Sequence, residues 1–159
     1  MGRDDVRTIE WKNGVVITID QTLLPGRLVF LRLRDCGEVA EAILSMKIRG
    51  APLIGAAAAF GLALVAFHSR ALGGKEFLRE LDDCAEVLRG TRPTGVNLFW
   101  AVDRILKKAN SASEASVEGL KALVVSEAEL IADEDVRINR LIGEYGSGLI
   151  GDGDTVLTH

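Results

Sequence analysis

From Gly50 to Phe67 the chain runs 18 residues without a charge; seven of these are alanine, three glycine and one proline. That length is at the lower edge of what crosses a bilayer. The small side chains keep its hydrophobicity modest and no second span accompanies it, so membrane insertion is not expected. A helix that is apolar on every side lacks a solvent face and belongs in the middle of other helices. Its small residues let those neighbours approach closely. The rest of the fold must therefore be built around this segment. At 159 residues the chain is long enough to bury a core without a metal or disulfide staple.

Composition removes several classes of function. With 48% hydrophobic and 26% charged residues, the chain has the balance of an ordered globular domain. A net charge of −4 argues against a basic nucleic-acid-binding module. Two cysteines, Cys36 and Cys84, are too few for a disulfide framework and read as small core residues. With no signal peptide after Met1, a cytoplasmic location is expected. Residues 111–154 hold ten acidic and three basic groups, which reads as an exposed acidic helix face. Glu127, Asp133 and Asp135 lie within it as weak acid/base candidates.

The pattern predicts an α+β fold, a small N-terminal antiparallel β-sheet over 1–34 followed by an α-helical domain over 35–150. Residues 15–19 and 28–31 are β-branched or apolar runs, and Asn13–Gly14 and Pro25–Gly26 are turn dipeptides. Asp35 can cap a first helix through Val39, Ile43 and Met46. Pro52 opens a second helix as its first residue. A third runs from about Lys75 to Arg89, and a fourth follows Pro93–Thr94, with Thr94 as a possible cap. Ser111 and Glu114 have capping-box spacing for a last stretch to about Ile150, with Asp133–Glu134–Asp135 a point where it can break in two. Residues 151–159, GDGDTVLTH, read as a turn and the start of a strand that either joins the N-terminal sheet or opens a second domain.

Two segments share a design suited to an anion. Arg49–Gly50–Ala51–Pro52 and Thr91–Arg92–Pro93–Thr94 each put an arginine immediately before a helix start. A helix N-terminus offers unpaired N–H groups and partial positive charge, and an arginine fork beside it makes a phosphate or carboxylate site. Such starts are also ordinary punctuation, with the arginines paired to surface carboxylates. If the two starts converge, they can clamp one phosphorylated small molecule. His68 reads as closing the long apolar helix, and His159 is terminal. No metal-ligand cluster, dinucleotide fingerprint or nucleophile with a plausible histidine partner is present, so no metal and no cofactor are expected.

RTIEWKNGVVITIDQTLLP (7–25), SMKIRGAPLIGAAAAFGLAL (45–64), TRPTGVNLFWAVDR (91–104) and GDGDTVLTH (151–159) resemble the methylthioribose-1-phosphate isomerase family, in the family's order. Gly95 stands where alanine is more usual. The resemblance implies an aldose–ketose isomerase of methionine salvage, converting 5-methylthioribose 1-phosphate to 5-methylthioribulose 1-phosphate, and a homodimer. It implies that Arg49, Gly50, Ala51 and Arg92 hold the substrate phosphate, with Asn97 a further pocket residue. It also implies a Rossmann-like α/β domain beginning at 151–159 in the full-length protein. The family's catalytic cysteine follows the Thr–His at which this chain ends, and its catalytic aspartate lies beyond. The chain alone is therefore expected to be inactive. Two relatives compete as readings: ribose-1,5-bisphosphate isomerase, and the regulatory subunits of the exchange factor for translation initiation factor two, which are binding proteins.

Overall fold

The computed structural model describes residues 7–157. A three-stranded antiparallel sheet comes first, with β1 (Ile9–Trp11), β2 (Val16–Ile19) and β3 (Phe30–Leu33) side by side in chain order. The β1–β2 connection is the tight hairpin expected at Asn13–Gly14. Lys12 and Val15 exchange backbone hydrogen bonds of 2.8 and 3.1 Å, and both central residues take positive φ, 47° and 80°. Gly14 also has no room for a Cβ, because the Phe67 ring lies where one would be. Central strand β2 is wholly buried, and its one hydroxyl, on Thr18, donates to the Thr8 carbonyl. Between β2 and β3 the chain makes a single 3-10 turn at Gln21–Leu23 and passes through a cis peptide at Leu24–Pro25.

Five helices follow: α1 (Cys36–Leu44), α2 (Ala51–His68), α3 (Gly74–Thr91), α4 (Val96–Ser111) and α5 (Val117–Ser147). The uncharged segment is α2, and it occupies the centre, packed by all four other helices and touched by β1. By length and mean hydropathy, 1.8, α2 could cross a membrane, but here it is the core helix, with eleven residues buried from Gly55 to Ala66. Its alanines and glycines determine how closely the neighbours approach. A Cβ on Gly55 would lie 2.9 Å from the Asn97 carbonyl of α4, and one on Gly61 would lie 3.2 Å from Leu88 of α3. Helices α3, α4 and α5 each turn one apolar stripe towards α2, including Phe77, Leu81 and Leu88, then Leu98, Val102 and Ile105, then Leu120, Val124 and Ala128.

Several expectations are corrected. Cys36 and Cys84 are not separate core thiols: they form a disulfide between the start of α1 and the middle of α3, whose Cα atoms lie 6.2 Å apart, within disulfide reach. Thr94 does not cap α4; Gly95 does, without a side-chain bond. Ser111 is the last residue of α4, and α5 starts instead on Ser116, whose hydroxyl accepts from the Gly119 N–H. Asp133–Glu134–Asp135 does not break α5, because Arg7 pairs Asp133, Arg104 pairs Glu134, and Asn139 donates to Asp135 one turn on. Residues 154–157 form no strand, and the N-terminal sheet does not take them up; Thr158 and His159 lie outside the described residues. His68 reaches back from the end of α2, its Nε2 3.0 Å from the Gly14 carbonyl, so it ties the helix to the hairpin.

The acidic face is also more structured than its composition suggests. Glu127 is buried, 3% exposed, among the apolar positions of α5. Arg104 Nε donates to one carboxylate oxygen at 2.7 Å and Lys108 Nζ to the other. Burial pushes the Glu127 carboxyl up, but the hydrogen bonds from Lys108 and Arg104 outweigh it and hold the group below its ordinary value. Hydrogen bonding from Arg104 does the same for Glu134. Glu127 is thus a lock between α4 and α5, and its two oxygens are already committed.

Candidate functional site

The five helix starts divide into two kinds. Helices α1, α3 and α5 each carry a glutamate in the first turn, Glu38, Glu76 and Glu118. Asp35 and Ser116 cap two of these starts by accepting backbone N–H groups. Helices α2 and α4 have no acidic residue in the first turn and no side-chain cap. Neither start therefore has a capping side chain or first-turn acid to offset its partial positive charge.

Those two uncapped starts are neighbours. Gly55, one turn into α2, packs directly on the backbone of Asn97 in the first turn of α4. The Arg92 guanidinium, just before α4, rests against Met46 Sδ, three residues before Arg49. The two arginine segments, separate in sequence, therefore meet on one face. Arg49, Gly50, Ala51 and Pro52 are exposed there, with Arg92 and Asn97 half-buried beside them. Among the described residues, neither Arg49 nor Arg92 has a carboxylate partner, so their charge is available to a ligand. The reading of each arginine as paired to a surface acid does not hold.

The turn carrying Arg49 is held from several sides. Gly50 sits at φ 94°, a conformation open to glycine, and Met46 at φ 64°. Ile48 is fully buried and donates its N–H to the Ala42 carbonyl at 3.0 Å. Gln21 braces the turn twice: its backbone N–H donates to the Lys47 carbonyl at 3.0 Å, and its side-chain Nε2 to the Arg49 carbonyl at 3.1 Å. Sequence reasoning did not single out Gln21, and it put Met46 on the apolar stripe of the first helix, whereas α1 ends at Leu44 and Met46 lies exposed in the turn beyond it. The signal for Gln21 was present as part of the IDQTLLP segment, but a brace across 28 residues cannot be read from local pattern.

Chemically, the face offers free helix N–H groups, two guanidinium forks and the amide of Asn97. This arrangement can bind and orient an anion such as a phosphate ester. Among the described residues, no acid/base pair is found on this face; the buried carboxylate of Glu127 lies in the lock between α4 and α5. Among the described residues, no cluster of histidine, cysteine, aspartate or glutamate could hold a metal ion.

Comparison with known proteins gives a consistent outcome. The profile of the Initiation factor 2 subunit family matches residues 47–159. A methylthioribose-1-phosphate isomerase from Geobacter metallireducens is 48% identical over 96% of this chain and 44% of its own. A 5-deoxyribose 1-phosphate isomerase from Moorella thermoacetica is 46% identical over 98% of this chain and 44% of its own. The crystal structure of 5-methylthioribose 1-phosphate isomerase from Pyrococcus horikoshii superposes with a TM-score of 0.89 at 48% identity, covering 92% of this chain and 41% of that one. The delta subunit of translation initiation factor eIF-2B from A. fulgidus does so with 0.85 at 43% identity, covering 94% and 43%. The chain thus spans less than half the length of these relatives.

Proposed function

Because the chain belongs to the Initiation factor 2 subunit family, we propose that it is the phosphate-gripping part of a sugar-phosphate isomerase that interconverts 5-methylthioribose 1-phosphate and 5-methylthioribulose 1-phosphate. One observation carries this reading beyond resemblance. The two helix starts that lack their own negative charge lie side by side, and each follows an arginine without a carboxylate partner. The names of the relatives at 46–48% identity supply the substrate class.

In this reading Arg49 and Arg92 hold the phosphate in charge-assisted hydrogen bonds. Gly50 lets the backbone approach the ester without an intervening Cβ, and the N–H groups of the first turns of α2 and α4 complete the cradle. Asn97 orients a sugar hydroxyl from the edge of the face. Phosphorylation at the anomeric oxygen blocks ordinary ring opening, so the reaction must open the ring and move hydrogen between C1 and C2 with the phosphate in place. That requires an acid/base pair. This chain supplies grip and orientation, which gain rate only when the reacting groups are present. The acid/base groups belong to the remainder of a longer protein, a Rossmann-like part that closes over the exposed face, and the working form is a homodimer. The 159-residue chain alone is inactive in this reading.

The test is isomerisation of 5-methylthioribose 1-phosphate by the full-length protein, followed by NMR. Turnover of ribose 1,5-bisphosphate instead would select the rival enzyme. The similarity to an eIF-2B delta subunit gives the second reading its footing. Absence of turnover with either sugar, together with binding to the initiation factor, would favour that regulatory role.

A further inference from the structure

Helix α5 outruns the bundle it belongs to. It lies antiparallel to α4: Lys108 bonds Glu127, and Arg104, one turn nearer the start of α4, bonds both Glu127 and Glu134. It is antiparallel to α2 as well, since Leu120 lies beside Gly74, beyond the end of α2, and Ala132 shares a cleft with Phe60 in its middle. Continued at equal rise per residue, α5 draws level with the first turn of α4 at about residue 138. No residue of α5 beyond Ala132 is buried. Its last turns therefore project past the open starts of α2 and α4.

This overhang has one apolar side. Ile138, Ile142 and Tyr145 follow i, i+4, i+7 spacing and are 48%, 64% and 73% exposed. By helical periodicity they continue the line of Leu120, Val124 and Ile131, which α5 buries against the bundle. The face that packs on α2 and α4 thus carries on, uncovered, over the side where those helices begin. Val96 and Trp100, 79% and 50% exposed, extend the apolar surface along the start of α4. They share a line with Arg104, which stacks over the Trp100 ring and reaches α5. Single exposed apolar residues are ordinary, whereas a continuous stripe bordering a ligand face marks a surface that another body covers.

We propose that this overhang is the seat of the remainder of the longer protein, the part that brings the acid/base groups over Arg49 and Arg92. The inference rests on the phosphate-gripping reading and names the surface on which the missing part docks. The relatives run to more than twice the length of this chain, and a part that continues from the overhang is tethered beside the stripe. Tethering gives it an effective concentration that a separate second copy lacks. One body seated on the stripe also faces the arginines.

The experiment places the photo-cross-linking residue p-benzoylphenylalanine at position 145 of the full-length protein, where it keeps an aromatic ring on the stripe. Irradiation should give an adduct within one chain, mapped by mass spectrometry to a segment after residue 159. Adducts between isotopically distinct chains would assign the stripe to a second copy and overturn the proposal. No adduct, or one confined to residues 1–159, would overturn it too. This readout needs no turnover, so it stands or falls apart from the isomerase reading. Ile142→Asp should lower both the cross-link yield and kcat at least about tenfold, and Ile142→Leu should preserve the cross-link. A yield or kcat unmoved by Ile142→Asp would contradict the docking.

Discussion

Three helices of this chain begin on negative charge of their own and two begin on arginines with none. In α1, α3 and α5 the first turn contains its own glutamate, and Asp35 and Ser116 cap two of them outright. In α2 and α4 glycine caps leave the first turn without a side-chain acceptor, although Pro52 has no N–H and the Val96 N–H donates to the Thr94 carbonyl. The α3 start is instructive because it too begins on glycine, yet Glu76 turns back to accept the Leu72 N–H. An uncapped start is therefore not enough to mark a site. The distinguishing combination is an open start, no first-turn acid, an adjacent unpaired arginine and a second such start packed against it.

The largest effect should come from the arginines of the open pair. Arg92→Ala in the full-length protein should raise KM for 5-methylthioribose 1-phosphate about ten- to hundredfold, since a charge-assisted hydrogen bond contributes about 1.5–3 kcal/mol. Steady-state kinetics with unchanged KM would remove Arg92 from the face. The same substitution should barely move the melting temperature, because Arg92 holds no carboxylate.

The converse holds for the α4–α5 lock. Glu127→Gln removes a buried carboxylate from two cations and should cost roughly 1.5–3 kcal/mol of stability in urea unfolding with KM unchanged. Because the folded-state values of Glu127 and Glu134 are lowered, their contribution is complete above the ordinary value of 4.5 and lost as pH falls through the lowered values. Wild-type stability should therefore decline below about pH 4.5, and Glu127→Gln should flatten that decline.

Legibility in the sequence followed the range of the interactions. The hairpin turn at Asn13–Gly14, the Asp35 cap and the central placement of the uncharged helix were readable because turn chemistry and apolar pattern are local. The starts of α4 and α5 were misplaced by one to five residues, since Thr94, Ser111 and Ser116 are all acceptable caps and packing chooses among them. Glu127 could have been recognised, because it occupies the apolar stripe of Leu120, Val124 and Ile131. Its partners Arg104 and Lys108 lie one turn apart on another helix, which no local pattern reveals. The arginine motifs were legible as sequence, but their meeting depended on the closeness of α2 and α4 at Gly55. The Cys36–Cys84 pair was missed for the same reason: its two residues are 48 apart in sequence.

Smaller effects should sharpen the contrast. Ser116→Ala removes a cap that serves only the fold, so it should cost about 1 kcal/mol of stability and leave KM alone. Gln21→Leu should do less to stability than to binding, because it releases the turn behind Arg49; one neutral hydrogen bond predicts a KM rise of a few-fold, about 0.5–1.5 kcal/mol. Replacement by glutamate keeps an acceptor but loses the donor to the Arg49 carbonyl, so it should not rescue.

The claim that the two open helix starts grip a phosphate is tested most directly by binding rather than turnover. Full-length protein should be titrated calorimetrically with 5-methylthioribose 1-phosphate and with unphosphorylated 5-methylthioribose, in wild type and in an Arg49→Ala/Arg92→Ala double variant. The account predicts that wild type strongly prefers the phosphorylated sugar and that the double variant loses that preference while remaining folded. Equal affinity of wild type for both sugars, or a preference that survives loss of both arginines, would contradict it.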